Sequence, residues 1–278
     1  MLPNETHSVL EIARLDSAIT GIMAGFALTI VVLLVERLAN KSSDVHYDAT
    51  LGKATILVFV AAFFTSTLAS FLFGVSAAEK ENSARAFMLL MLPAFAFVLS
   101  VVLFSLGLIL LLAAYKLIYA LEPTRVILYM VLCLALFNYI YTASDVIAVM
   151  YKVPSIALLS QPPVVLSLLT PSAICLFLGY IIRRRRYKPS RVQFDPRWFR
   201  GFILVDIIAS AVVGVLLTSI LISAPPDLFV PFQLILVLVV GLSVLIGWSI
   251  LYIPTSDVGY AEISSTQGTC SESENGRT

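Results

Sequence analysis

The sequence predicts an all-α fold: a polytopic integral membrane helical bundle of about seven transmembrane helices, with the N-terminus outside and the C-terminus cytoplasmic. Three observations carry this prediction. Hydrophobic residues make up 59% of the 278 and charged residues 13%, with a mean hydropathy of +0.97. A soluble domain carries roughly 25% charged and 45–50% apolar residues. The apolar residues fall in runs close to the ~20 that a helix needs to cross a bilayer. Finally, eight of the 18 Lys and Arg residues sit in one loop, 180–201, YIIRRRRYKPSRVQFDPRWFRG. Short loops rich in Lys and Arg resist translocation, so this one stays cytoplasmic and orients every other segment.

The spans follow in order. The first covers 17–35, after a capping box at Ser8-x-x-Glu11 that starts the helix outside the membrane. The opening residues, MLPNETHSVLEIARLD, are acidic and lack a basic n-region. They therefore do not read as a cleaved signal peptide, and the first span acts as its own insertion signal. The second span is 54–78. The third, 86–115, is long and contains Pro93, so its first turns are expected to kink or lie in the interface before the true crossing. The fourth, 126–151, is entered through Glu122-Pro123.

The fifth span is read as 164–182, preceded by an interfacial or re-entrant piece at 155–161 and by Pro162-Pro163. Pro171 kinks it near its middle, with Ser167, Thr170 and Ser172 close by to satisfy freed carbonyls. The sixth, 201–223, has a defined start: Asp195 as N-cap and Pro196 at the first helical position. Only four residues separate it from the seventh, 228–253, which makes a tight helical hairpin. Residues 1–254 thus form one transmembrane domain. The remainder, 255–278, is a Ser/Thr/Gly-rich tail expected to be disordered and cytoplasmic.

Charge supports the orientation. With seven spans and the basic loop inside, inner segments carry 14 Lys and Arg and outer segments 4. Without that loop the bias is 6 against 4, so the loop carries the assignment. Asn4-Glu5-Thr6 and Asn40-Lys41-Ser42 are glycosylation sequons on the predicted outer and inner sides. Glycosylation at Asn40 would invert the topology.

Several classes of function are excluded. A net charge of +1 gives no compositional support for nucleic acid as a partner. The three cysteines have no metal-like spacing, and both histidines are extramembrane. No metal site or cofactor is therefore expected. No GxSxG elbow, P-loop or GxGxxG occurs, and no nucleophile–base set is visible. Catalytic residues are accordingly none, and the chain is not read as an enzyme. The seventh span has no lysine for a retinal Schiff base and no Asn-Pro-x-x-Tyr, and the third ends Ala114-Tyr115-Lys116 instead of Asp-Arg-Tyr. Seven spans alone therefore do not make this a rhodopsin or a G-protein-coupled receptor.

Ionisable groups within the spans are the functional candidates, because they are costly in hydrocarbon. There are two, Asp145 and Asp206, and no span holds a Lys, Arg or His to pair with them. Asn138, Tyr141, Thr142 and Asp145 lie at i, i+3, i+4 and i+7, one face of the fourth helix. That face reads as a cavity wall with a cation or proton site, or as a hydrogen-bonded seam. Asp206, Ser210, Gly214 and Thr218 form a second stripe at intervals of four on the sixth. Asp206 lies roughly 9 Å below the inner surface, within reach of a snorkelling Arg from the loop. The two carboxylates should be roughly 20 Å apart vertically, which excludes a shared-proton dyad and leaves two stations on one pathway.

Two further features concern partners. Gly21 and Gly25 form a GxxxG on the first span, extended by Ser17, Thr20 and Ala24. Such a small face packs against another helix, in the same chain or in a homo-oligomer or other membrane-protein partner. Arg183, Arg184, Arg185 and Arg186 act as a topology determinant or bind anionic lipid headgroups. The functional expectation is a multi-pass protein, located in the plasma membrane, that transports a small solute or ion through the polar residues of the fourth and sixth helices. The alternative is a non-enzymatic accessory or structural protein acting through helix–helix and lipid contacts.

Overall fold

The computed structural model describes residues 9–39, 49–79, 84–151, 196–225 and 232–250, together with Ala173, Phe177 and Ile181. All the regular structure among the described residues is helical. In chain order the elements are α1 (Val9–Ala39), α2 (Ala49–Ser76), α3 (Ala84–Ala114), α4 (Ile118–Tyr151), α5 (Pro196–Ala211), a π-helical segment (Val212–Leu217), α6 (Thr218–Ser223) and α7 (Phe232–Ile250). The three pieces from Pro196 to Ser223 follow one another without a gap, and together they are the sixth span.

Among the described residues, five stretches are long and apolar enough to cross a membrane: Glu11–Ala39, Leu51–Ser76, Arg85–Ala114, Tyr119–Ser144 and Phe199–Ser223. Gln233–Ser249 is a shorter apolar helix. The fifth predicted span and its Pro171 lie outside the described residues, except that Ala173, Phe177 and Ile181 are helical. So do the re-entrant piece, the Asp195 cap, residues 182–195 of the basic loop and the tail.

α3 is the centre of the bundle and the most buried span; α1 is the least buried. The first turns of α3, where the sequence suggested a kink or an interfacial stretch, belong to the helix and pack in the core. Met88, Leu89, Met91 and Leu92 are fully buried there, and the helix runs without interruption through Pro93. The α3–α4 connection is tight. Leu117 N–H donates to Leu112 O and Lys116 N–H to Ala113 O, at 3.0 Å each, with Lys116 at φ 52°. This is a Schellman turn, with Lys116 where glycine usually sits.

α1 packs against α2 through a seam of mostly small residues. Ala13, Thr20, Ala24, Ala27 and Leu34 are buried, with Ser17 and Val31 partly buried between them. These positions alternate steps of four and three, the spacing of a left-handed coiled-coil seam. Small side chains let two backbones approach closely, which replaces the hydrophobic drive that lipid does not supply. A reciprocal serine pair locks the crossing: Ser17 Oγ donates to Ser70 O at 2.9 Å and Ser70 Oγ donates to Ser17 O at 2.8 Å. A Cβ at Gly21 would stand 3.5 Å from Ser70 Oγ, and one at Gly25 would meet nothing within 4 Å among the described residues.

Contacts at the helix ends fix directions. Arg37, late in α1, stacks 4.5 Å over the Tyr115 ring just past α3. At the other end Arg85, opening α3, pairs with Glu79 at 2.6 Å and donates to the carbonyl of Ala224 at 2.6 Å. Neighbouring spans therefore alternate in direction between a Tyr115 end and a Glu79 end.

Within the core, α2 and α3 meet where Gly107 faces the Phe59 ring. A Cβ there would lie 2.9 Å from the ring, whose edge also packs on Phe104 at 5.5 Å. Gly107→Ala should therefore destabilise the protein by about 1–3 kcal/mol through overpacking. Thermal unfolding in detergent measures this, and Phe59→Leu in the same chain should recover part of the loss.

Candidate functional site

The sixth span carries the most unusual chemistry in the core. Asp206 and Ser210 are 0% exposed, Thr218 is 3% exposed and Gly214 is buried. A strict repeat of four on an α-helix rotates by roughly 40° per step, so four such residues would drift around the helix. The π segment widens the winding between Val212 and Leu217. That keeps Gly214 and Thr218 turned inward with Asp206 and Ser210.

Three contacts set the register of this span. Arg85 at the Ala224 carbonyl places its end beside the start of α3. Phe202, 5.7 Å edge-on from Trp248, places its start beside the end of α7. Gly214 faces Leu72 and Leu68 of α2, with room for no Cβ: one built there would lie 2.6 Å from Leu72 Cδ1. The span runs parallel to α2 and antiparallel to α3 and α7. Counting residues from these contacts, Asp206 lies level with Ala62 on α2, with Ser100 and Leu103 on α3 and with Ser243 on α7.

Near that level three hydroxyls are committed elsewhere, while Ser66 Oγ on α2, one turn past Ala62, is buried and unpartnered among the described residues. Thr65 Oγ1 donates to Ala61 O at 2.9 Å, Ser100 Oγ to Phe97 O at 2.7 Å and Ser243 Oγ to Val239 O at 2.7 Å. Each hydroxyl directs its proton to its own helix, as serine and threonine do in apolar helices. Both carboxylate oxygens of Asp206, Ser210 Oγ and Thr218 Oγ1 are buried with no hydrogen-bond partner among the described residues. A buried polar atom in that state costs about 1–3 kcal/mol, and more if it is charged.

The fourth-helix stripe is arranged differently. Asn138 and Tyr141 are exposed, and Thr142, partly buried, donates to Asn138 O at 3.0 Å. The backbone of Asp145 continues α4 on the same face; its side chain lies outside the described residues. α4 runs from the Tyr115 end, so Asp145 stands near the opposite end of the bundle and Asp206 in the half nearer Tyr115. The structure does not bring the two carboxyls together.

Three groups escaped the reading of the sequence. Arg125 lies inside the apolar stretch Tyr119–Ser144 and is buried, where no cation within a span was expected. Tyr139, next to Asn138, is fully buried, its ring 6.1 Å from Phe95 and its hydroxyl unpartnered among the described residues. Arg85 joins the α2–α3 turn to the end of the sixth span. The signal for Arg85 was its place immediately before a continuous apolar run. Nothing in the sequence distinguished Tyr139 from the exposed Tyr141. No group of three or more His, Cys, Asp or Glu able to hold a metal occurs among the described residues.

The fold and this stripe define a multi-span helical membrane protein with a polar residue set buried in its core. No family model, curated protein or solved structure matches the chain.

The energetics of Asp206 give a direct test. If the carboxyl holds nothing together, Asp206→Leu removes an unsatisfied group and should stabilise the protein by about 1–3 kcal/mol. Thermal or denaturant unfolding in detergent reads this. A loss of stability would show that Asp206 bonds a partner that matters to the fold.

Proposed function

We propose that this chain is a seven-span transporter of a small solute or ion, resident in the plasma membrane, with its N-terminus outside and its C-terminus cytoplasmic. In this reading it is not an enzyme. Asp206 and Ser210 are the central station of the pathway, and Asn138, Tyr141, Thr142 and Asp145 a second one towards the outside. Anionic headgroups at Arg183–Arg186 hold the cytoplasmic face against the bilayer.

The observation that supports transport over an accessory role is the unpartnered state of Asp206. A carboxyl kept as helix–helix glue would bond across the interface, because an unsatisfied polar group in hydrocarbon is costly. A carboxyl kept for a passing ligand stays free until the ligand arrives. The π segment six residues further on supports the same reading, since such distortions concentrate at functional sites. The length of the fifth run and the apolar α7 support the count of seven.

Two experiments test this proposal. Purified protein in proteoliposomes, screened with labelled monovalent ions, sugars and amino acids, should move at least one of them. Asp206→Asn should cut that flux by about tenfold or more, the effect of losing roughly 1.4 kcal/mol of pathway interaction, and Asp145→Asn should reduce or alter it. A wild-type protein that moves none of the panel would return the reading to an accessory role. For topology, a cysteine placed at Ser190 in a chain lacking the native ones should react with impermeant maleimide only after cells are permeabilised; labelling of intact cells inverts the orientation.

A further inference from the structure

Resting on the transport reading, we propose that the ligand of Asp206 is a proton, and not a metal cation, taken up on a site made by Asp206 and Ser210 and closed towards the Glu79 end by Leu72 and Leu68 packed on Gly214. Three observations lead there.

The first is the oxygen supply. A metal cation in a membrane is coordinated by several oxygens, typically including carbonyls of unwound backbone. Around Asp206 the backbone is unbroken α-helix from Pro196 to Ala211, so its carbonyls are committed within the helix. The helices packed against it, α2, α3 and α7, contain no Asp or Glu. A proton asks for less. It sits on one carboxyl oxygen and needs a single acceptor, which Ser210, one turn on, can provide with the lone pairs of its unpartnered hydroxyl.

The second is charge. α2 offers only Lys53, four residues into the helix and nine before the level of Asp206. α3 offers only Arg85, engaged with Glu79 and Ala224 at the far end, and α7 offers no charged residue. On its own helix Asp206 has Arg200, which is exposed. Among the described residues α2, α3 and α7 bring no countercharge to its level, and a site without one accommodates the neutral acid far better than the anion.

The third is the path. The unpartnered polar atoms run from Asp206 through Ser210, stop at Gly214 and resume at Thr218. Leu72 and Leu68 fill the interval. Asp206 is therefore shut off from the Glu79 end and lies roughly 9 Å from Arg200 at the other, which makes the Tyr115 end the side of proton entry.

Dicyclohexylcarbodiimide tests the site without any transport assay. It reacts with carboxylic acids buried in membranes: the carboxyl oxygen bonds to the carbodiimide carbon, the proton passes to a nitrogen, and the adduct rearranges to a stable N-acylurea with nothing leaving. Membranes carrying the full chain are treated across a pH series, with sodium chloride or choline chloride, and the peptides are mapped by mass. The expected result is modification of Asp206 that fades at alkaline pH, is unaffected by sodium and is absent in Asp206→Asn. Protection by sodium would assign a metal cation and overturn the proposal. No modification of wild-type Asp206 at any pH would overturn it too, and needs no variant to be folded. Labelling with Asp206→Asn flux unchanged would leave the proton site standing and sink the pathway role. Flux lost in Asp206→Asn with no labelling would do the reverse.

Discussion

Hydrocarbon offers no hydrogen bonds, and every feature of this fold answers that constraint. Backbone amides must be satisfied within the chain, so each described element is a helix. Several serines and threonines in the core turn their protons onto their own helix, as Thr65, Ser100 and Ser243 do, while Ser76 Oγ also reaches Leu89 O on α3. The same constraint removes the usual reason for helices to associate, because a leucine is as well placed in lipid as against a neighbour. Association then rests on close approach and a few interhelical bonds. The Ala-rich seam of α1, the Ser17–Ser70 pair and the Gly107–Phe59 contact are three local solutions to one problem.

Asp206 stands out because it breaks this rule. Its oxygens are as buried as the leucines around it and bond nothing among the described residues. Stability would be better served by an apolar side chain. The sixth span also carries the π segment and the glycine with no space for a Cβ, so three departures from ideal packing lie on one face of one helix. Departures from local consistency tend to collect where function demands them. The proposed transport through this face would account for all three together.

Much of this was legible in advance. Hydropathy located the runs that became α1 to α4 and the sixth span, and Pro196 marked where the sixth begins. The stripe Asp206, Ser210, Gly214, Thr218 was visible as a repeat of four, and all four residues are buried. Other elements were harder to read. On α1 the conspicuous glycines drew attention, yet Gly25 meets no described neighbour; the seam passes through Thr20, Ala24 and Ala27, whose alternating steps of four and three were equally present in the chain. The α3 proline suggested a kink or an interfacial start; the helix continues through it and its first turns are buried in the core.

What the sequence determined by itself was the solvent: a chain this apolar, cut into helix-length runs, belongs in a bilayer, and its buried charges are few enough to name. Which face of each helix turns inward was decided only by the tertiary structure. In water, amphipathicity orients a helix because the outside is polar and the inside is not. Here both lipid and core are apolar, so Tyr139 and Tyr141 or Ala24 and Gly25 look alike along the chain. Steric fit at the crossing points, with Gly214 beneath Leu72 and Ser17 against Ser70, selects among faces that hydropathy cannot rank.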